Sequence, residues 1–213
     1  MRSLGVLLTL CAGTASAEVL TLPQGCTPIA SVQHRGCQVS LFWECAGDEG
    51  YVTASADESG LLWATQRAST GQWTEMVHMP SGSGYVLGDV RDPSDHRAIA
   101  ADGQDAFDYT MVGTNGAMSL TYVGTNTNEG PGEVDGAPVI AVVYDYDLSG
   151  PDGLIRRMQG RAYLWSDRLI SISGSWISSD GASAEVDPVE ILTKGEPGFM
   201  DATPRYDCGE EMS

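Results

Sequence analysis

Between Tyr144 and Trp176 the chain concentrates residues able to recognise an anion beside an apolar body. Arg156, Arg157 and Arg161 place three guanidinium groups within six positions of a chain that carries only 11 Lys and Arg residues. Tyr144, Tyr146, Tyr163, Trp165 and Trp176 flank them, and rings with polar tips suit a site that is dry at one end and wet at the other. The chemistry is binding: Arg157 or Arg161 would hold a ligand carboxylate or phosphate while the rings take its apolar part. The plain alternative is cross-strand pairing of the arginines with Asp145 or Asp147. Register separates the two readings. A five-residue loop, Ser149 to Gly153, sets Asp145 opposite Arg157; a shift of one residue puts Tyr144 and Tyr146 on the face of Arg157, Tyr163 and Trp165.

Asp145, Asp147 and Ser149, followed by Gly150, resemble the first half of an EF-hand calcium loop. The second half departs from it, because Arg156 stands where a bidentate Glu should be. An acidic hairpin tip is the expected reading, and no metal site is assigned. His34, His78 and His96 are scattered without ligand spacing and read as surface or rim residues. No Gly-x-Ser-x-Gly elbow is present. A carboxylate pair for glycoside chemistry cannot be singled out among 29 Asp and Glu residues. No cofactor is implied.

Cys26, Cys37, Cys45 and Cys208 are the other reactive set. Their even number, after an export signal, implies two disulfides. The spacings contain no C-x-x-C knuckle, which argues against zinc. Gln38 to Glu44 reads as one strand, so Cys37 and Cys45 lie about 26 Å apart, beyond the roughly 7 Å that a disulfide allows. Two connectivities remain: Cys26–Cys37 with Cys45–Cys208, or Cys26–Cys45 with Cys37–Cys208. The shorter local loop favours the first. Both tie the C-terminal tail to the first strand region.

The elements that must position these groups are strands. Short alternating runs separated by Gly, Asn, Asp and Ser mark an antiparallel β protein. Gln38–Glu44, Tyr51–Ala56, Leu61–Arg67 and Gln72–Met79 form a first meander. Val139–Leu148, Leu154–Trp165 and Arg168–Ile177 form a second, with Pro188–Leu192 as a last short strand. Between them, Ala106–Val123 is a hairpin about Asn115-Gly116, the preferred pair for a type I′ turn. Centring the turn there sets Met111 opposite Leu120 and Tyr109 opposite Tyr122, and gathers the large apolar side chains on one face. One helix is expected near 92–102, with Asp92 as N-cap, Pro93 in its first turn and Gly103 at its end. Ser81–Gly88 and Gly124–Pro138 read as long loops.

About ten sequentially neighbouring strands must curl to bury a core, so the expected fold is an all-β meander forming an open or closed barrel, with a β-sandwich as runner-up. Residues 1–17 read as a secretory signal peptide: Arg2, the apolar run Leu4 to Leu10, and Ala15-Ser16-Ala17 before the cut. Residues 18–213 then form one domain, periplasmic or secreted. Without Arg2, ten basic residues against 29 acids give the mature chain a net charge of −19. Such a charge repels phosphate backbones and anionic lipid headgroups, so nucleic acid is excluded as a partner. No mature segment is long and apolar enough for a transmembrane helix. The expected function is an exported, non-catalytic, β-barrel-like binding or envelope-associated protein for an apolar or amphipathic ligand, a peptide or a protein partner. The alternative is a secreted hydrolase using dispersed acidic residues.

Overall fold

The computed structural model describes residues 20–47 and 50–209. The signal-peptide segment 1–17 lies outside the described residues. The strands are β1 Cys26–His34, β2 Gln38–Cys45, β3 Gly50–Asp57, β4 Gly60–Ala68, β5 Trp73–His78, β6 Gly84–Asp92, β7 Gln104–Thr114, β8 Leu120–Val134, β9 Ala137–Gly150, β10 Gly153–Trp165, β11 Ile170–Ser178, β12 Ser183–Ala184 and β13 Pro188–Leu192; one helix, α1, covers His96–Asp102. All 13 strands belong to one antiparallel sheet, in which each strand from β1 to β12 pairs with its chain neighbours and β13 returns to pair with β1. The sheet is a curled, open barrel. Its two edges, β12 and β13, are consecutive in the chain, and residues 185–187 join them. That link is held from both sides. The Asp187 carbonyl accepts from the Arg35 amide at 3.0 Å, and the Asp187 carboxylate accepts from the Ser175 amide at 2.9 Å.

The hairpin β7–β8 has the register that its turn dictates: Met111 opposite Leu120 and Tyr109 opposite Tyr122. Asn115 and Gly116 take φ of 51° and 85°, the conformation for which Gly carries no steric penalty.

The strands beyond the expected ten are β1, β6 and β12, and most of both presumed loops is sheet. Ser81–Gly88 opens into β6, and Gly124–Pro138 is the second half of β8 with the start of β9. The segment from Gly124 to Glu133 carries polar residues on both faces, so it shows no alternation. It is a strand because β7 and β9 satisfy its backbone on either side. β1 was also hidden, since its last six residues are buried on both faces and read as no single period.

Helix α1 starts later than its first Pro suggests. Asp95, not Asp92, is the N-cap, accepting from the Arg97 amide at 2.8 Å. Asp92 belongs to β6 and pairs with Asp108. Gly103 ends the helix in the left-handed region, as expected.

The disulfides are Cys26–Cys45 and Cys37–Cys208, the connectivity that loop length disfavoured. The β1–β2 hairpin is the reason. Its register places Cys26 directly opposite Cys45 at the open end, with Cα atoms 3.9 Å apart. Cys37 lies in the turn at the closed end, where its amide donates to Tyr206 O at 2.9 Å. The tail so tethered covers the outer face of β2 and β3, where Phe199, Met200 and Ala202 pack with Val39, Leu41 and Trp43. Gln33 fixes it further, bonding Thr203 O and the Arg205 amide through its side chain.

Candidate ligand-binding cavity

The curl of the sheet forms an open-mouthed cavity of about 280 Å³ to which β1–β5, α1 and β7–β11 all contribute. One wall is aromatic. The β7–β8 register stacks Tyr109 on Tyr122, centroids 5.3 Å apart and planes 10° from parallel. Trp73 of β5 meets Tyr122 edge-on at 5.4 Å. Tyr146 of β9 lies 5.7 Å from Tyr122 and 5.8 Å from Tyr144, and Phe107 lies 6.1 Å from Tyr146. Gly160, opposite Tyr144 on β10, is required here: a Cβ at that position would stand 2.5 Å from the Tyr144 hydroxyl.

Burial pushes the hydroxyls of Tyr109, Tyr122 and Tyr144 well above the ordinary tyrosine value, and that of Tyr146 up to about 12. These four are neutral at pH 7. The Trp73 indole N–H is buried and has no hydrogen-bond partner among the described residues.

The rest of the lining is polar and bears no carboxylate. None of the residues that line the cavity is Asp or Glu, in a chain with 29 of them. Two arginines and two histidines do line it. Arg67 is the single charged residue of β4. It donates from Nη1 to Gly71 O at 3.0 Å and lies 4.9 Å over the Trp73 ring. Among the described residues it forms no ion pair, whereas Arg35, Arg91, Arg156, Arg157, Arg161 and Arg205 each do.

His34 and His96 are buried cavity residues, not the surface or rim groups their scatter suggested. His34 is satisfied on both sides: Nδ1 bonds Val186 O and Nε2 bonds Ser40 Oγ, each at 2.9 Å. His96 Nδ1 donates to Leu169 O at 2.8 Å. Desolvation lowers both to about 4; the charge of Arg67 adds to the effect at His96, while the bond to Val186 O partly opposes it at His34. Both are neutral at pH 7.

The residues singled out in the sequence divide between two surfaces. Tyr144, Tyr146, Arg161 and Trp176 line the cavity. Arg161 is at its rim, 57% exposed and 3.5 Å from Glu129. Arg157, Tyr163 and Trp165 do not line it. Arg157 faces outward with a two-point bond to Asp145, at 2.6 and 2.7 Å. The register sets Arg157 opposite Asp147 and Gln159 opposite Asp145, two residues from the five-residue-loop expectation and therefore on the same face. Tyr144 and Tyr146 point to the other face. Trp165 and Tyr163 pack with Ile170 and Ile172. Asp145, Asp147 and Ser149 lie along extended β9, where four residues span roughly 13 Å. Gln159 and Arg157 together hold the Asp145 carboxylate.

Arg67, Trp73, His34 and His96 were missed. One signal existed for Arg67: a lone charge in a strand whose other residues are apolar or neutral.

Compared with protein-family models, with curated proteins and with solved structures, the chain matches none.

Proposed function

We propose that this chain is an exported, non-catalytic binding protein whose barrel holds a small, partly apolar ligand. The carrying observation is the central cavity itself, an open-mouthed hollow lined in part by Trp73, Phe107, Tyr109, Tyr122, Tyr144 and Tyr146. Small-molecule sites combine apolar surface with placed polar groups, and here the aromatic rings share the lining with about as much polar surface from Ser, His, Asn and Arg side chains. Its volume of about 280 Å³ is close to twice that of a cavity of roughly 150 Å³ that accepts benzene. A ligand of one or two rings, or a short chain, fits; a long acyl chain does not. The two disulfides fit an oxidising compartment, which supports export. Among the described residues no helix is long and apolar enough to cross a membrane.

Trp73 and Trp176 both line the cavity, so titration followed by tryptophan fluorescence reads occupancy. Small aromatic and short aliphatic compounds should give a saturable change at one site per chain. Ser55→Phe, which fills the cavity from β3, should abolish it. Unaltered fluorescence with every compound, and no ligand retained in native mass spectra, would refute the reading.

A further inference from the structure

Arg67 is out of character with its chain. The protein carries a formal charge of −18, yet the arginine facing its interior has no carboxylate partner among the described residues, and no carboxylate lines the cavity it faces. Arg67 is half-buried, and a charge partly withdrawn from water carries a cost when it is left unpaired. The guanidinium has five N–H donors in a planar fork, and the protein engages one nitrogen, at Gly71 O. Its remaining donors are free for a ligand. The Trp73 indole N–H, on the ring beneath the guanidinium, also lacks a partner. The four tyrosines supply neutral hydroxyls and no negative charge.

From these observations we propose that the cavity binds a small oxyanion, a carboxylate or phosphate monoester on an aromatic or short apolar body, with its oxygens on the Arg67 fork and its body against the rings of Trp73, Tyr109, Tyr122 and Tyr146. The inference rests on the binding function proposed above and adds the charge of the ligand and its anchor. Forked N–H donors match the two oxygens of a carboxylate or phosphate better than any point charge does. Arg67 takes this role in place of Arg157, whose fork is already filled by Asp145 on the outer surface. Arg161 is held by Glu129 at the rim, so that pair adds no net charge to the edge of the cavity. The acidic exterior repels anions at long range, so association should quicken as salt screens that field. Affinity for the site within the cavity should fall little with salt.

The test compares probes that share a benzene ring and differ in headgroup charge, with phenylacetate and phenylacetamide as the near-isosteric pair: phenylacetate and phenyl phosphate against phenylacetamide and benzylamine, titrated into the mature protein by calorimetry at pH 7.5. The oxyanions should bind about 10- to 100-fold more tightly than the amide, the range set by hydrogen bonds to a charged group; the tighter of the two identifies the headgroup. Arg67→Met should remove that preference, weakening both oxyanions at least about tenfold more than the amide. Arg67→Lys should recover part of it, and Arg157→Ala should leave it intact. Near-ultraviolet circular dichroism establishes that each variant is folded, and the wild-type comparison of acid with amide needs no variant. Equal binding of phenylacetate and phenylacetamide, or an oxyanion preference retained in Arg67→Met, overturns the inference while leaving the binding function standing. Failure of all four probes overturns both.

Discussion

Lowering the pH should destabilise this protein in a window where its carboxylates are still ionised. His34 and His96 are buried, and desolvation holds each at about 4 against an ordinary value of 6.5. As the pH falls below 6.5 the unfolded chain takes up two protons that the folded chain refuses, so stability is lost between pH 6.5 and pH 4 and changes no further from this source below that. At pH 5.0 each histidine accounts for about 2 kcal/mol, and the pair for about 4 kcal/mol, relative to pH 7.5. For a domain of this size that corresponds to a fall in Tm of roughly 8–16 °C. Asp145, Asp180 and Glu196 are held below the usual carboxylate range by their hydrogen-bond donors, so their contribution is lost only at lower pH. Asp105, raised by burial, has the opposite sign and offsets a part. Urea unfolding at pH 7.5 and 5.0 and fixed ionic strength, followed by tryptophan fluorescence, measures the difference directly if the m-value is constant. The double variant His34→Gln, His96→Gln should be less stable at pH 7.5, because the bonds to Val186 O, Ser40 Oγ and Leu169 O are altered. Its stability should nonetheless change by less than about 1 kcal/mol between the two pH values. A wild-type stability that is flat over this window, or a drop that persists undiminished in the double variant, would refute the reasoning.

Two further outcomes follow from the disulfides and the β7–β8 turn. Non-reducing peptide mapping should recover Cys26 joined to Cys45 and Cys37 joined to Cys208. With sequence separations of 19 and 171, removing the pairs should cost about 3 and about 5 kcal/mol in the chain-entropy limit, so Cys37→Ser with Cys208→Ser should lower the urea midpoint more than Cys26→Ser with Cys45→Ser; the reverse order would show that the tail peels away without unfolding the barrel. Gly116→Val meets open space but must hold φ near 85°, and the strain should cost about 1–2 kcal/mol with no change in tryptophan environment; a neutral substitution would contradict the turn geometry.

The sequence by itself determined what depends on a few adjacent residues. Asn115-Gly116 sets a turn conformation, the turn sets Tyr109 opposite Tyr122, and alternation sends both to one face; every step acts within one hairpin. Gly103 ended the helix for the same local reason, and the even set of cysteines implied two bonds. Pairing of those cysteines was not local. It required β1, a strand buried on both faces, so that its sequence CTPIASVQH shows no period; once β1 lies beside β2, Cys26 and Cys45 meet and Cys37 is left for the tail. The polar half of β8 was likewise invisible, since its strand conformation is enforced by the backbones of β7 and β9. The cavity is the extreme case. Tyr144 and Tyr146 could be named as aromatic residues of interest, but whether they faced Arg157 or the interior turned on register at the β9–β10 turn. Arg67, Trp73, His34 and His96 come from four separate elements and share a space only because 13 strands curl until β12 and β13 are joined through residues 185–187. Curvature sums small twists over the whole sheet, and no local pattern in the chain records where that sum will leave a hollow.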